Sequence, residues 1–151
     1  VAIGAHLHII GPLTFSISDK DLKRVGMDYI DSIKLTYYNS YEEFEASHHN
    51  ADIYYISRYG KNVYSEINYP TERNDVYLMF GRESTGIPHD VLRAHINHVF
   101  RIPMVPEARS LNLSNCVAIV AFEVLRQQKF PNLSTTEAIK GEDFLFKELK
   151  K

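Results

Sequence analysis

Two stretches of this sequence, one bounded by glycines and one broken by prolines, carry hydrogen-bonding side chains in a way that suits a ligand. Gly81-Arg82-Glu83-Ser84-Thr85-Gly86 lies between an apolar run and a helical one and offers the G-x-x-x-x-G spacing of a phosphate-binding loop. That chemistry fails at the next two positions, because the lysine and the hydroxyl residue that reach phosphates and magnesium are replaced by Ile87 and Pro88. What remains is a glycine-bounded loop at a strand end, where open α/β sheets bind ligands. A plain tight turn is the competing reading. The second stretch, Pro103 to Ser110, leads into Leu111-Asn112-Leu113-Ser114-Asn115 at a helix start. Backbone groups of two such loops can hydrogen-bond an adenine and a ribose, Met104 and Leu111 can add apolar contact, and a helix N-terminus favours anions. Asn112, Ser114 and Asn115 also suit simple helix capping, which accounts for at least one of them.

Other chemistries are poorly served. Seven histidines invite a metal site, but His89 and His95 are six apart and share no helix face, His48 and His49 are adjacent, and no cysteine cluster assists. There is no G-x-S-x-G elbow, and the single cysteine, Cys116, sits among apolar residues away from any evident base, as a small buried hydrophobe would. Arg58, Lys61, Arg82, Arg93, Arg101 and Arg109 lie in or near the strand-end loops, where they can meet phosphates or simply face solvent.

The elements that must hold these loops follow from patterning. His6–Ile10, Asp52–Ile56, Val76–Phe80 and Val99–Ile102 read as short buried strands. Capping boxes open helices at Ser18-x-x-Asp21, ahead of Leu22 to Val25, and at Ser40-x-x-Glu43, ahead of Phe44. Pro88 suits the start of a helix through Val91 and Leu92, and the longest helix is expected from Leu113 to Lys129, capped by Asn112 or Ser114. Its stripe Leu113, Val117, Val120, Ala121 and Val124 is joined by a second set, Ile119, Phe122 and Leu125, as in a helix buried in a core or in a subunit interface, of which a dimer contact is the expectation. Ser134-x-x-Glu137 is expected to cap a final charged helix. Strands alternating with helices predict an α/β fold, a single domain over residues 1–151 with a largely parallel sheet and helices on both faces.

Composition narrows the classes. At 151 residues, with 44% hydrophobic and 24% charged residues, the chain can bury a core without disulfides or a structural metal. No apolar run reaches the roughly 18 residues of a membrane span, and one cysteine cannot form an internal disulfide, so a soluble protein of the cytoplasm is expected. A formal charge of -2 excludes a domain that coats nucleic acid by bulk charge, leaving room for a local basic patch.

Taken together, the two stretches become specific. Phe80-Gly81-Arg82-Glu83-Ser84-Thr85-Gly86-Ile87-Pro88 resembles the second signature motif of the knotted SPOUT methyltransferases, F-G-x-E-x-x-G-[IL]-P, and Arg101 to Asn115 resembles the third, I-P-M-x-P-x-x-R-S-[LM]-N-[LV]-[SA]. Leu7-His8-Ile9-Ile10-Gly11-Pro12 and Arg24-Val25-Gly26-Met27-Asp28-Tyr29 are similar to the subgroup that methylates the wobble ribose of tRNA, so the resemblance covers most of residues 1–130. It implies a deep trefoil knot near the carboxyl end, a homodimer, S-adenosylmethionine bound in the knot, no metal, and the tRNA anticodon stem-loop as substrate, with cytidine or uridine 34 methylated on its 2'-hydroxyl. A ribosomal RNA substrate on the same fold and a non-catalytic RNA-binding module are the alternatives.

Carried over residue by residue, the resemblance implies cofactor contacts at Ile56, Gly81, Ile102, Met104, Ser110 and Leu111, most of them through the backbone. Glu83, Arg109, Arg82, Asn112 and Asn115 match polar positions that orient the methionine end, place the ribose or meet RNA; Glu83 and Arg109 are the catalytic candidates, Arg109 more as a guide for the reacting group than as its base. The family's N-T-G-N-x-x-R type motif, whose arginine is a leading candidate for activating the hydroxyl, is expected just ahead of Val1.

Overall fold

A computed structural model describes residues 2–12, 33–71 and 76–150, which group into two compact units, residues 1–50 and 51–151. The helix start expected at Ser18-x-x-Asp21 lies outside the described residues, as does the Arg24 to Tyr29 stretch.

In the first unit, β1 (His6–Ile10) pairs in parallel with β2 (Lys34–Tyr38), in register from His6 opposite Lys34 to Ile10 opposite Tyr38. The sequence reading missed β2. Its alternation is present but inverted in weight: Thr36 and Tyr38 turn inward while the apolar Leu35 and Tyr37 face out. Helix α1 (Tyr41–Ser47) starts where the capping box placed it: the Ser40 hydroxyl accepts from the Glu43 amide at 3.1 Å, and the Glu43 carboxylate reaches back to the Asn39 amide at 2.8 Å, one residue before the cap. Phe44, buried on α1, meets Tyr38 edge-on at 5.2 Å and stacks on His48 at 4.4 Å, while His8 stacks on His6 at 4.2 Å.

The second unit is built on a four-stranded parallel sheet of β3 (Asp52–Ile56), β4 (Asn62–Val63), β5 (Val76–Met79) and β6 (Val99–Arg101), in the order β4-β6-β3-β5. Three of these match expected strands; β4 is new and only two residues long. Helices α2 (His89–Ala94), α3 (Leu113–Gln127) and α4 (Phe144–Lys147) complete the unit. Successive residues of β3 point to opposite faces. On one face Tyr54 joins Tyr69, Phe100 and Val124 of α3 in a buried cluster; on the other, Tyr55 stacks at 4.9 Å on His95 at the end of α2. Val99 and Val120 are fully buried beside this framework.

The strand order has a consequence for the backbone. Ile56 and Asn62 both pair with Phe100, from opposite sides, so residues 57–61 cross β6 as an arch. Parallel neighbours ordinarily need a crossover of a dozen or more residues. Five suffice here because β4 resumes at the level where β3 stopped, with β6 between them. The arch lies on β6 itself: the Ser57 amide donates to the Phe100 carbonyl at 2.9 Å, and a Cβ on Gly60 would stand 2.5 Å from the Phe100 carbonyl carbon. Only glycine fits there.

Other differences concern ends and surfaces. Helix α3 stops at Gln127, not Lys129, because Lys129 (φ 63°) and Phe130 (φ 52°) adopt left-handed backbone. Its buried residues are Val120, Ala121 and Val124; Val117, Ile119 and Phe122 are exposed. Cys116 is half-buried, not buried, because it lies in the first turn of α3, one turn before Val120, where the buried stripe begins. Ser134 caps no helix: its hydroxyl donates to the Thr136 carbonyl, and the Glu137 carboxylate accepts from the Ile139 and Lys140 amides in a turn, before α4 begins at Phe144. No helix among the described residues is long and apolar enough to cross a membrane.

Candidate active site at the carboxyl edge of the parallel sheet

Because β3, β5 and β6 are parallel neighbours, the segments that follow them leave the sheet on one edge. Tyr55 is level with Met79 on one side and Val99 on the other. Ile56 therefore ends β3, with Gly81 two residues beyond β5 and Ile102 one beyond β6, the three offset by a residue or two along strands that rise about 3.3 Å per residue and lie about 4.8 Å apart. This brings to one edge three of the six residues expected to contact a cofactor; Met104, Ser110 and Leu111 lie further along the loop after β6. Ile102 is buried and Ile56 and Gly81 are half-buried, which leaves peptide groups rather than charged side chains along the edge.

The loop after β5 doubles back on itself. The Gly86 amide donates to the Arg82 carbonyl at 2.9 Å, and the Arg82 amide returns to the Gly86 carbonyl at 3.4 Å. Gly86 has φ 71°, and a Cβ on Gly81 would lie 2.2 Å from both the Gly86 carbonyl carbon and the Ile87 nitrogen. Both glycines are dictated by this turn, one by conformation and one by space. Ile87 closes it by burying its side chain, while Arg82, Glu83, Ser84 and Thr85 project into solvent. The signature thus decomposes into turn-forming glycines, an apolar anchor and exposed polar side chains.

After β6, Met104 is half-buried and Val105 exposed, and the Ala108 amide donates to the Val105 carbonyl at 3.0 Å in a turn that presents Arg109, Ser110 and Leu111 to solvent. Asn112 is the cap of α3: its side-chain oxygen accepts from the Ser114 amide at 2.9 Å, the Asn115 amide at 3.4 Å and the Ser114 hydroxyl. That oxygen is committed to capping, whereas the Asn115 side chain, in the first turn, is exposed. Burial raises the Cys116 thiol above its ordinary range, only partly opposed by a hydrogen bond from its own backbone amide, and a thiol so raised is a poor nucleophile.

The histidines of this unit serve tyrosines. His98 stacks on Tyr54 at 5.6 Å and its Nδ1 lies 3.1 Å from the Ile53 carbonyl, His95 stacks on Tyr55, and His89 meets Tyr59 edge-on at 5.3 Å. No group of three potential metal ligands occurs among the described residues. Sequence reasoning named Arg58 and Lys61 but missed the arch that carries them, with Tyr59 and Gly60. The available signal was an Arg-Tyr-Gly-Lys turn directly after an apolar strand.

A parallel α/β sheet with two irregular loops and an arch at its carboxyl edge defines a ligand-binding α/β protein, and comparison with known proteins makes the class specific. Residues 1–122 match the SpoU rRNA Methylase family, and the chain belongs to that family. The tRNA (cytidine(34)-2'-O)-methyltransferase of Escherichia coli K12 is 37% identical over 129 residues, covering 85% of this chain and 80% of that protein. A Listeria innocua protein provisionally given the same name is 46% identical over 125 residues, or 83% of this chain and 74% of that one. Among solved structures, a provisionally named RNA methyltransferase from Bacillus anthracis superposes with a TM-score of 0.82 at 43% identity, covering 88% and 84% of the two chains. A structure described as giving insight into 2-OH methylation of C/U34 on tRNA superposes with a TM-score of 0.74 at 36% identity, covering 83% and 80%.

Proposed function

We propose that this protein transfers a methyl group from S-adenosylmethionine to the ribose 2'-hydroxyl of the wobble nucleotide, cytidine or uridine 34, of tRNA. The observation that carries the proposal is the convergence of Ile56, Gly81 and Ile102 at one sheet edge, beneath the two loops whose sequences match the family signatures. Identity of 37% with the Escherichia coli wobble methyltransferase over most of both chains supports the substrate.

The residues present fit the cofactor. Backbone groups of Gly81, Ile102, Met104, Ser110 and Leu111 suit the uncharged hydrogen-bonding edges of an adenosine, with apolar contact from Ile56, Met104 and Leu111. When bound, S-adenosylmethionine supplies an electrophilic methyl group on a good leaving group. The protein's part is to hold the ribose oxygen in line with it and to exclude misaligned approaches, a contribution that can be worth several kcal/mol. Exposed Glu83 and Arg109 are the catalytic candidates, Glu83 to orient the methionine end or place the ribose and Arg109 to guide the RNA or the reacting ribose, while Arg82 and Asn115 would meet or position RNA, with Asn112 bracing the loop through its cap. Residues 57–61, crossed over β6, support a trefoil knot in this domain. The exposed Val117, Ile119 and Phe122 of α3 support a homodimer through that helix, and similarity to a tRNA-modifying enzyme supports the cytoplasm as the working compartment.

Nucleoside mass spectrometry of tRNA incubated with the full chain and S-adenosylmethionine is the test. The expected product is a 2'-O-methylated nucleotide at position 34. The family takes its name from ribosomal RNA methylation, so rRNA belongs in the same assay; methylated rRNA beside an unmodified wobble ribose overturns the substrate. Calorimetry that detects neither S-adenosylmethionine nor its demethylated product overturns the enzyme reading in favour of a non-catalytic RNA-binding module.

A further inference from the structure

We infer that Tyr59 is a stacking platform for a nucleobase of the RNA substrate beside the methylated nucleotide; this rests on the wobble-methylation reading above. The tyrosines of the β3 core, Tyr54, Tyr55 and Tyr69, are buried, whereas Tyr59 is 54% exposed at the carboxyl edge of the sheet. Its ring is positioned. The Tyr59 amide donates to the Ser57 hydroxyl at 3.2 Å, the Gly60 amide to the Ser57 carbonyl at 3.1 Å, and Gly60 is pressed against the Phe100 backbone, so the arch cannot shift without displacing β6.

The surroundings of the ring specify the partner. The Arg58 guanidinium sits over the ring, 5.3 Å from its centroid, and His89, directly after the Gly81–Pro88 loop, meets it edge-on at 5.3 Å. Tyr59 thus bridges the arch and the end of the second signature loop. The arch, residues 57–61, carries Arg58 and Lys61 and no acidic residue. An exposed aromatic ring flanked by cations suits a base and its phosphates, because unstacked bases of single-stranded RNA loops are taken up on aromatic and guanidinium planes. The wobble nucleotide lies in a single-stranded loop, whose bases can splay out of their stack and then need a new surface.

The test compares Tyr59→Ala and Tyr59→Phe in the full chain, measuring binding to a fluorescein-labelled anticodon stem-loop RNA, S-adenosylmethionine binding by calorimetry, and the KM and kcat of methylation. Tyr59→Ala should weaken RNA binding roughly 5- to 100-fold, mainly through KM, with cofactor affinity unchanged, the range expected for one lost base–aromatic stack. Tyr59→Phe, which keeps the ring, should stay within about twofold of the parent. Unchanged RNA affinity in Tyr59→Ala, or equal losses in both variants, overturns the inference. An altered sedimentation profile with unchanged RNA affinity overturns it too and assigns the ring to a second copy of the chain. A parent protein that neither binds the stem-loop nor methylates tRNA overturns the underlying reading and this one with it. An active parent with a fully competent Tyr59→Ala removes only the stacking role.

Discussion

Replacing Gly81 and Gly86 one at a time by alanine separates two reasons for glycine within one loop. At Gly86 a Cβ meets no atom within 4 Å, so Gly86→Ala bears only the left-handed backbone at φ 71°. That costs about 1–2 kcal/mol, or roughly 2–8 °C in Tm at this chain length. At Gly81 the added carbon would stand 2.2 Å from two backbone atoms and 2.5 Å from the Gly86 Cα. Non-bonded carbons settle at about 3.5–4.0 Å, so residues 86 and 87 must retreat by more than an ångström. Overpacking against side chains costs about 1–3 kcal/mol; here the obstacle is backbone closed by two hydrogen bonds, which points to the upper end or beyond. Because Gly81 also belongs to the proposed cofactor edge, a displacement of about 1 Å predicts a loss on the order of 100-fold in activity. Calorimetry with S-adenosylmethionine and thermal unfolding of both variants provide the readouts. Gly81→Ala should lose both stability and cofactor binding, and Gly86→Ala should lose stability with a smaller binding defect. Parent-like cofactor affinity in Gly81→Ala, or the reverse ranking, refutes the argument.

Two further substitutions probe each unit separately. Gln127 clamps the segment after β4: its side-chain oxygen accepts from the Tyr69 amide at 2.9 Å, and its nitrogen donates to the Ile67 carbonyl at 2.8 Å and to Glu123 at 3.0 Å. Gln127→Ala should cost about 2–4 kcal/mol in urea unfolding, since two part-buried backbone groups lose their partners, and a loss under about 0.5 kcal/mol would contradict the clamp. It should also raise the Glu123 carboxyl, now held down at about 2 first by hydrogen bonds from Arg126 and then by Gln127, which NMR titration can follow. In the first unit, burial and then the neighbouring imidazoles of His6 and His48 lower the His8 pKa. The folded state therefore binds a proton there less readily than the unfolded chain, whose histidines titrate near about 6.5. The stability His8 contributes is complete above that pH and is lost as pH falls through the lowered folded value. Between about pH 7.5 and pH 5 the Tm of the parent should fall more steeply than that of His8→Phe; equal slopes would show that His8 is not the titrating group.

Much of the site was legible one residue at a time. Gly81 and Gly86 around a polar tetrad announce a turn, Pro88 marks the start of α2, and Asn112 or Ser114 marks the cap of α3, a role the structure gives to Asn112, because each of these choices is made within a few covalent bonds. The apolar runs at β3, β5 and β6 were equally local, and parallel pairing followed from their alternation with helices. Lys34–Tyr38 escapes because its apolar residues fall on both faces, Leu35 and Tyr37 outward and Tyr38 inward, and the Ser134 box misleads because a Ser-x-x-Glu spacing serves a turn as readily as a helix.

What no local pattern contained was the insertion of β6 between β3 and β4. Whether residues 57–61 turn away or cross a strand depends on a partner some 40 residues later in the chain, Phe100, whose carbonyl receives the Ser57 amide and whose backbone leaves no room for a Cβ at Gly60. The sequence by itself determined the chemistry on offer, two glycine- and proline-shaped loops with an exposed arginine in each. The tertiary structure decided that Ile56, Gly81 and Ile102 share one edge and that Tyr59 stands beside it, because strand order is set by pairing between distant segments rather than by the residues that do the chemistry.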